Sequence, residues 1–304
     1  MLSLVNRPAR RAVIRAAGLA AAAVLAVVIG GSAPSPADDH GPSSASADLP
    51  AVQAAAAAPM LPLFGRKADG HLYDYEPTGT GGVRPAADLG GGFTVATAFF
   101  QTKTSAAGGG VDLYYRIGTT LYYTAGRGTE TKVIGAGWDA YNALVSAGNL
   151  GGSADPDVLA RDAAGALWLY QGKPDGTFAA RVQAGTGGWS GMDTLAGVGD
   201  YTGDGKNDLI ARTTAGALYI YPGTGSVTAN AILGTRLTVP GTDWTNYTTL
   251  VSTGDNNGDG KADLIGRDAA GALWLFKGTG TAATPFAARV QIGTSGWQAF
   301  NTLF

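Results

Sequence analysis

The chain has 304 residues, of which 21 are basic and 23 acidic, so its formal net charge is −2. It contains 48 glycines and no cysteine, which excludes disulfides, thiolate chemistry and cysteine-bound zinc. This composition predicts many short strands joined by tight turns, and not a helical protein.

The first 37 residues have the pattern of an export signal. Four arginines form a basic head, and an apolar stretch follows from Ala16 to Ile29. Because this stretch has only 14 residues, it is shorter than the roughly 20 needed to span a membrane, which disfavours the alternative of an uncleaved anchor. Ser35-Pro36-Ala37 offers a cleavage point, and Arg10-Arg11 resembles a twin-arginine signal. The sequence therefore predicts a secreted protein, or one held at the cell surface.

The charge of the mature chain excludes some partners. Removal of residues 1–37 takes away four arginines and no acid, which leaves 17 basic against 23 acidic residues, a net charge of −6. A nucleic acid or an anionic membrane needs a basic face on its partner. We therefore expect no nucleic-acid binding and no membrane insertion of the mature chain.

One motif recurs along most of the chain. Residues 38–60 are rich in Ala, Pro and Ser, which predicts a disordered linker, and patterned sequence covers 61–304. The clearest copies are Asp157 to Tyr170, Asp208 to Tyr221 and Asp263 to Phe276, and more divergent ones lie at Leu63 to Tyr75 and Asp112 to Tyr123. The repeats are predicted at 61–102, 103–148, 149–199, 200–254 and 255–304.

The repeat length predicts the architecture. The aspartates that open four copies of the motif, from Asp112 to Asp263, are 45, 51 and 55 positions apart. A period near 50 with strand-like content is typical of a β-propeller. Each repeat contains four short strands separated by Gly-containing turns, so we expect an all-β propeller of about five four-stranded blades.

The phase of the repeats predicts a closed ring. The pattern starts at Leu61 with the second strand of a unit and stops at Phe304 with a first strand. Pairing of the N- and C-terminal strands would complete one blade and leave no open edge there. The alternative is an open array or a fragment of a longer ring, and the complementary ends disfavour it.

Two Asp-rich loops between first and second strands carry a metal-binding pattern. Oxygen-bearing side chains stand at positions 1, 3, 5 and 9 of each loop, and a backbone carbonyl is available at position 7. The candidate ligands are Asp255, Asn257, Asp259, the Lys261 carbonyl and Asp263 in one loop, and Asp200, Thr202, Asp204, the Lys206 carbonyl and Asp208 in the other. Calcium is a hard cation that takes about 6–8 oxygen ligands at flexible geometry. Three carboxylates within nine residues also repel one another unless a cation lies between them.

Other interpretations of these loops are weaker. A metal-free polar turn is the main alternative, because Asp, Asn and Gly dominate turns. An EF-hand is disfavoured, since an Asp at position 9 closes each loop and the flanks are strand-like. The equivalent segment with Asn149, Ser153 and Asp157 keeps weaker oxygens and is a weaker candidate. The segment from Thr104 to Asp112 is mostly Gly and Ala and is predicted to be metal-free.

These loops resemble those of FG-GAP/VCBS-type repeats, the family that includes the integrin α-subunit propeller. The resemblance covers residues 61–304 and is strongest from 149 to 304. It implies Ca²⁺ bound in hairpin loops on one rim of a propeller, at the ten candidate ligands named above. The Gly-Ala-Pro triplet of the family is absent, and integrin rings have seven blades, so no integrin-like ligand is implied.

Recurrent aromatic residues and Arg-Asp pairs each have two interpretations. One aromatic set is Trp138, Trp189, Trp244 and Trp297, and a second is Trp168, Tyr219 and Trp274. Packing between blades is favoured over sugar-stacking platforms, because buried aromatics dominate all-β cores.

In Arg161-Asp162 and Arg267-Asp268, Asp is expected to bond turn amides and Arg to cover apolar surface, with ligand binding as the alternative.

The sequence offers little for catalysis. Its two histidines are His40 and His71, and His40 lies in the linker, so only His71 is left for Ser-His-Asp chemistry and zinc sites lack candidates. A carboxylate pair for glycoside hydrolysis stays open, although most clustered aspartates are accounted for as ligands. We therefore expect a noncatalytic calcium-binding module for an extracellular protein or glycan. A propeller lectin and a hydrolase are the alternatives.

Overall fold

Short antiparallel strands and single 3-10 turns make up the regular structure of the described chain. The structure is a computed structural model, and it describes residues 57–104, 110–126, 128, 130–241 and 243–304. The predicted export signal, 1–37, and residues 38–56 of the predicted linker lie outside the described residues. No helix in these described ranges is long and apolar enough to cross a membrane.

The described residues contain twenty strands in five four-stranded antiparallel sheets. In chain order the strands are β1 (Leu63–Lys67), β2 (Leu72–Tyr75), β3 (Ala87–Gly90), β4 (Ala96–Thr102), β5 (Asp112–Ile117), β6 (Thr120–Ala125), β7 (Glu130–Gly135), β8 (Tyr141–Val145), β9 (Val158–Asp162), β10 (Leu167–Tyr170), β11 (Val182–Gly185), β12 (Met192–Ala196), β13 (Asp208–Thr213), β14 (Leu218–Pro222), β15 (Leu237–Thr238), β16 (Tyr247–Gly254), β17 (Asp263–Asp268), β18 (Leu273–Phe276), β19 (Val290–Gly293) and β20 (Phe300–Leu303).

The sheets are the blades of a ring. Blade 1 has the order β20-β1-β2-β3, and blades 2 to 5 contain β4 to β7, β8 to β11, β12 to β15 and β16 to β19. Contacts of β8 with β4 and β12, and of β12 with β16, place these first strands around the centre. Leu and Ile side chains of the second and third strands, such as Leu159, Ile210 and Leu264, are fully buried between the blades.

Strands from the two ends of the patterned sequence close the ring. β20 pairs with β1 in antiparallel register, with Gly65 opposite Leu303 and Arg66 opposite Thr302. The main chains of Phe64 and Phe304 exchange hydrogen bonds of 2.9 and 3.0 Å, and their rings stack with centroids 5.4 Å apart. Blade 1 therefore has all four strands, which confirms the predicted five-bladed ring closed by its terminal strands.

The Ala-Ala-Gly turns between second and third strands fold as the sequence predicts. Gly165 has a φ of 78°, a left-handed conformation that Gly adopts without strain. The Asp162 carboxylate accepts bonds from the Ala166 N–H at 2.9 Å and from Trp168 Nε1 at 2.8 Å. Asp268 makes the equivalent bonds in blade 5. The prediction that these aspartates bond turn amides is confirmed.

The first set of recurrent tryptophans lies between blades. Trp138, Trp189, Trp244 and Trp297 stand in 3-10 turns just before the first strands, and each is at most 8% exposed. They pack on third-strand rings, with centroids 4.8, 4.7, 4.8 and 4.5 Å from those of Tyr170, Tyr221, Phe276 and Tyr75. This burial supports the packing role and leaves little ring surface for sugar stacking.

The second aromatic set is covered by arginines. Trp168, Tyr219 and Trp274 are half-buried on third strands. The Cζ atoms of Arg181, Arg236 and Arg289 lie 4.1, 4.2 and 4.1 Å from the three ring centroids. Because a guanidinium covers one face of each half-buried ring, this arrangement favours packing over sugar stacking for these rings too.

The second strand of each blade contains an arginine that bonds its blade to the next one. The five are Arg66, Arg116, Arg161, Arg212 and Arg267. Arg161 Nη1 in blade 3 donates to the carbonyls of Trp189 at 2.8 Å and Met192 at 2.6 Å, at the start of blade 4. The other four make the same pair of bonds around the ring. The expectation that Arg161 and Arg267 cover apolar surface missed this role as inter-blade clamps.

Candidate metal centre

Each acidic loop connects the first strand of a blade to the second. The loop 200–208 leads into β13 in blade 4, and the loop 255–263 leads into β17 in blade 5. Gly203 and Gly205 have φ angles of 82° and 88°, which lets the chain double back over a few residues.

Three carboxylates converge in the loop 200–208. One oxygen each of Asp200, Asp204 and Asp208 lies within 4.8 Å of the others. Asp208 is buried, Asp200 is half-buried and Asp204 is exposed, so the group can be reached from solvent. It is the only such group of three His, Cys or acidic side chains in the part of the chain that the structure describes.

Backbone N–H groups hold these carboxylates in place. The Asp200 carboxylate accepts N–H bonds of 2.6–3.0 Å from residues 202, 203 and 205. The Asp208 carboxylate accepts N–H bonds of 2.8 and 3.0 Å from residues 201 and 202. Asp204 accepts the Lys206 N–H at 2.9 Å. The backbone therefore fixes the positions of the oxygens that the sequence identified as candidate ligands.

Burial and like charges raise the pKa values of the closing aspartates. The pKa of Asp208 rises to about 7, first because burial disfavours its ionised form, and then because Asp200 and Asp204 are negatively charged. The pKa of Asp263 rises to about 6, again through burial first and then through the charges of Asp259 and Asp255. A cation among these oxygens would offset both effects.

The loop 255–263 has the same backbone frame with a looser carboxylate group. Asp255 accepts N–H bonds of 2.6–3.2 Å from residues 258, 259 and 260, and Asp259 accepts the Lys261 N–H at 3.0 Å. Asn257 Nδ2 donates to both Asp263 oxygens at 3.1 Å, so the amide nitrogen faces that carboxylate. A half-turn of the amide would present its oxygen instead.

In the weaker candidate loop, polar groups bond one another. Asn149 Nδ2 donates to the Ser153 carbonyl, and the Ser153 hydroxyl donates to Asp157 Oδ1 at 3.2 Å. Asp157 also accepts the N–H groups of residues 150 and 151 at 2.9 and 2.7 Å. Among the described residues, Asp157 belongs to no group of three carboxylates like that of the loop 200–208.

The aspartate at the ninth loop position has a structural role that the sequence pattern did not reveal. Asp112, in the segment predicted to be metal-free, is fully buried and accepts N–H bonds from Thr104 and Gly126 at 3.3 and 3.2 Å. Asp157, Asp208 and Asp263 accept equivalent bonds of 3.2, 3.3 and 2.8 Å from Gly172, Gly223 and Gly278. The sequence did offer one signal of this structural role. Asp112 keeps the aspartate of this repeat position although no other acidic residue lies nearby.

Both acidic loops also contact the following blade. The fully buried Tyr201 hydroxyl donates to the Asp263 carbonyl at 3.1 Å and bonds Ser252. The loop of blade 4 is thereby linked to the residue that closes the loop of blade 5. The blade 5 loop in turn contacts blade 1, where the Gly81 N–H donates to the Asn256 carbonyl at 3.3 Å.

Residues 57–61 lie along the loop of blade 5. The Ala58 N–H donates to the Gly260 carbonyl at 3.0 Å, and the Asp255 N–H donates to the Pro59 carbonyl at 2.9 Å. The Leu61 N–H donates to the Thr253 carbonyl at 2.9 Å. Residues 57–60, the last part of the predicted linker, are thus bonded to the acidic loop.

Replacement of Tyr201 by Phe is expected to destabilise the protein by about 1–2 kcal/mol, because the Asp263 carbonyl and Ser252 hydroxyl lose a buried partner. Urea unfolding measures the change. Tyr219→Phe, at a half-buried ring under Arg236, is the matched control and should stay within about 0.5 kcal/mol of the parent. Equal stability of the two variants would contradict the link between the loops.

The fold and the loops together define a class of protein. A closed ring of five four-stranded blades, with acidic loops between first and second strands, is a β-propeller repeat protein. Residues 150–211 and 200–266 match the model of the FG-GAP-like repeat. The matched residues include both acidic loops. The resemblance read from the sequence is confirmed for them.

Two solved structures match much of the chain at low identity. The BP39L lectin from Burkholderia pseudomallei is 12% identical with a TM-score of 0.44, and the match covers 77% of this chain and 69% of that chain. A nidogen/laminin complex is 12% identical with a TM-score of 0.38, and the match covers 82% of this chain and 84% of that chain. No curated protein matches the chain by sequence.

Proposed function

We propose that the chain is a secreted, noncatalytic calcium-binding propeller that serves as a binding or scaffold module. The observation that carries this proposal is the group formed by Asp200, Asp204 and Asp208 within a matched FG-GAP-like repeat. Calcium would stabilise the loops and, through them, the junctions between blades.

The donor set suits calcium. Asp200, Asp204 and Asp208 offer carboxylate oxygens, and the Thr202 hydroxyl and Lys206 carbonyl are the further candidates. All are hard oxygen donors, with no nitrogen or sulfur ligand among them, as Ca²⁺ prefers. Carboxylates that are already bonded to backbone N–H groups need little rearrangement to bind an ion. In the second loop, Asp255, Asn257, Asp259, the Lys261 carbonyl and Asp263 would hold the ion once the Asn257 amide turns.

A role outside the cell follows from several features of the chain. Residues 1–37 have the pattern of an export signal, and FG-GAP-like repeats are typical of extracellular proteins. The chain has no cysteine, so loops in an oxidising compartment must be stiffened without disulfides. Calcium linking loop oxygens supplies such a constraint. The partner is proposed to be an extracellular protein or glycan.

Binding is favoured over catalysis. The acidic loops are bonded into the inter-blade junctions, as Tyr201 shows, which is the behaviour of structural ion sites. His71 is 41% exposed and pairs with Asp88 at 3.0 Å on the hairpin of blade 1. An exposed His–carboxylate pair is poorly placed for acid–base chemistry.

Calorimetric titration with CaCl₂ is expected to show two sites, with dissociation constants of about 10⁻⁴–10⁻³ M as in other extracellular modules. Asp204→Ala should remove one site while the fold is kept, since Asp204 is exposed and bonded within its own loop. Asp259→Ala should remove the other.

Asp175→Ala is the control for this titration, because Asp175 is an exposed turn residue outside the acidic loops. It should leave both sites intact. A third site would place an ion in the loop with Asn149, whereas no heat of binding at millimolar calcium would refute the proposal.

A further inference from the structure

Two crevices at blade boundaries are lined by matching side chains. The first, of about 310 Å³, lies between blades 2 and 3, and the second, of about 360 Å³, lies between blades 4 and 5. Their floors contain Trp138, Tyr141 and Tyr170 in the first and Trp244, Tyr247 and Phe276 in the second. Phe178 and Phe286 form one wall of each.

A tyrosine hydroxyl that is bonded to an arginine adjoins both floors, and in the second crevice the arginine is itself a lining residue. Arg181 Nη1 donates to the Tyr141 hydroxyl at 2.5 Å, and Arg289 Nη1 donates to the Tyr247 hydroxyl. Each of these arginines also lies over a tryptophan ring, as described above. A guanidinium has five N–H donors, so donors other than the one on the tyrosine remain for a ligand.

Blades 4 and 1 lack this combination. Phe178 and Phe286 each form a bridge to the glycine that follows a third strand, and Leu233 and Val83 hold the same bridge position in blades 4 and 1. At the position of Tyr141 and Tyr247, opposite the end of the second strand, blade 4 has Met192. The crevices therefore follow from specific side chains, and not from the propeller geometry alone.

The crevices are open at their rims and apolar at their floors. In the second crevice, Pro240 and Gly241 on one side and Ala287 to Arg289 on the other are exposed, while Trp244 is 6% exposed. Thr177 and Thr284 add a hydroxyl to each lining. No acidic side chain lines either crevice in the described part of the chain, which disfavours a cationic ligand.

We infer that the two crevices bind a pyranose ring, as the terminal residue of a glycan. A pyranose has an apolar C–H face that suits the half-buried Phe178 or Phe286 ring, and hydroxyl edges that suit the tyrosine hydroxyl, the guanidinium and the threonine. The volumes lie at the low end of the roughly 300–1,000 Å³ of small-molecule sites, which fits one sugar ring. This inference deepens the proposed binding role and does not depend on calcium.

The test uses the indole N–H signals of the six tryptophans in NMR spectra of the mature protein with calcium present. The probes are the methyl pyranosides of glucose, galactose, mannose, fucose and N-acetylglucosamine, and N-acetyl-leucinamide represents an apolar peptide side chain. At least one pyranoside should shift the signals of Trp138 and Trp244. Trp189 and Trp297, in blades 4 and 1 without this combination of side chains, are internal controls and should not shift.

Three variants locate the effect. Phe178→Ala should abolish the shift of Trp138 alone, and Phe286→Ala that of Trp244 alone. Arg236→Ala removes a guanidinium stacked like Arg289 but next to no crevice tyrosine, and should change neither. If a variant does not fold, the parent spectrum still decides through the difference between the tryptophans.

No shift with any pyranoside at about 50 mM, far above the millimolar dissociation constants of weak sites, would overturn the inference. Equal shifts at all tryptophans, or shifts with N-acetyl-leucinamide alone, would overturn it too. The effect of calcium on the Tm of the same sample separates the two proposals. A calcium-dependent Tm without sugar binding refutes only the crevices, and sugar binding without a calcium effect refutes only the calcium role.

Discussion

Chelation of calcium is expected to lower the Tm of the protein by about 10 °C. An ion that binds only the folded state adds RT ln(1 + [L]/Kd), which is about 1.4–2.7 kcal/mol per site when calcium is at about 10–100 times Kd. Two loops would together contribute about 3–5 kcal/mol, and each kcal/mol shifts Tm by about 2–4 °C in a domain of this size. Thermal melts in 10 mM CaCl₂ and in excess EDTA measure the difference.

The position of the loops makes the expected fall in Tm larger than the fall that loss of a surface ion would cause. Tyr201 links the loop of blade 4 to Asp263, and the loop of blade 5 is bonded to Gly81 across the closure of the ring. Loosening of the two loops therefore weakens two blade junctions, blade 4 with blade 5 and blade 5 with blade 1.

The matched control for chelation is the double variant Asp204→Ala with Asp259→Ala, which lacks one carboxylate in each loop. Its Tm should be the same in calcium and in EDTA. MgCl₂ should restore little of the parent's Tm, because Mg²⁺ demands a stricter octahedral geometry. Identical melts of the parent in calcium and in EDTA would refute the structural role of the ion.

The repeat phase allowed the closure of the ring to be predicted, because strand order is a property of sequence alone. The pattern begins at Leu61 with a second strand and ends at Phe304 with a first strand. The first repeat therefore lacks a first strand, and the C-terminal strand can supply it. The pairing of β20 with β1 follows from that count. Burial of the Trp138 set was likewise expected, since large rings recur where blades meet.

The inter-blade bonds could not be read from the sequence in the same way. Arg161 donates to carbonyls 28 and 31 residues away. Every residue has a backbone carbonyl, so the identity of a residue does not indicate that its carbonyl accepts such a bond. The same holds for residues 57–60, whose composition matches a linker although Ala58 and Pro59 bond the acidic loop through main-chain atoms. The available signal was that an arginine occupies one repeat position in all five copies.

The candidate site was predicted in part. The spacing of Asp200, Asp204 and Asp208 indicated that their oxygens converge, and the structure brings them together. The spacing did not indicate that Asp208 also accepts backbone N–H bonds that hold the loop, because the ligand pattern and the turn pattern use the same residue. The two crevices were missed because their lining residues are far apart in the sequence, as Tyr141 and Phe178 are.

Replacement of Arg212 by Met is expected to destabilise the protein by about 3 kcal/mol. Arg212 is 7% exposed, and it donates to the carbonyls of Trp244 at 2.8 Å and Tyr247 and to the Asp193 carboxylate at 2.8 Å. Met keeps the length and the apolar stem of the side chain but leaves both carbonyls and the carboxylate without their partner. Urea unfolding gives the loss of stability, and the Tm should fall by about 6–12 °C.

Arg236→Met is the matched control for the clamp. Arg236 is exposed and lies 4.2 Å from the Tyr219 ring centroid, so its loss should destabilise the protein far less than the loss of Arg212. Asp193→Asn, alone and combined with Arg212→Met, separates the ion pair from the two carbonyl bonds in a double-mutant cycle. Because the carbonyls join blade 4 to blade 5 and the carboxylate belongs to blade 4 itself, most of the loss should persist in the Asp193→Asn background. If Arg212→Met caused no loss of stability in the Asp193→Asn variant, the arginine would only neutralise Asp193 and would not hold the two blades together.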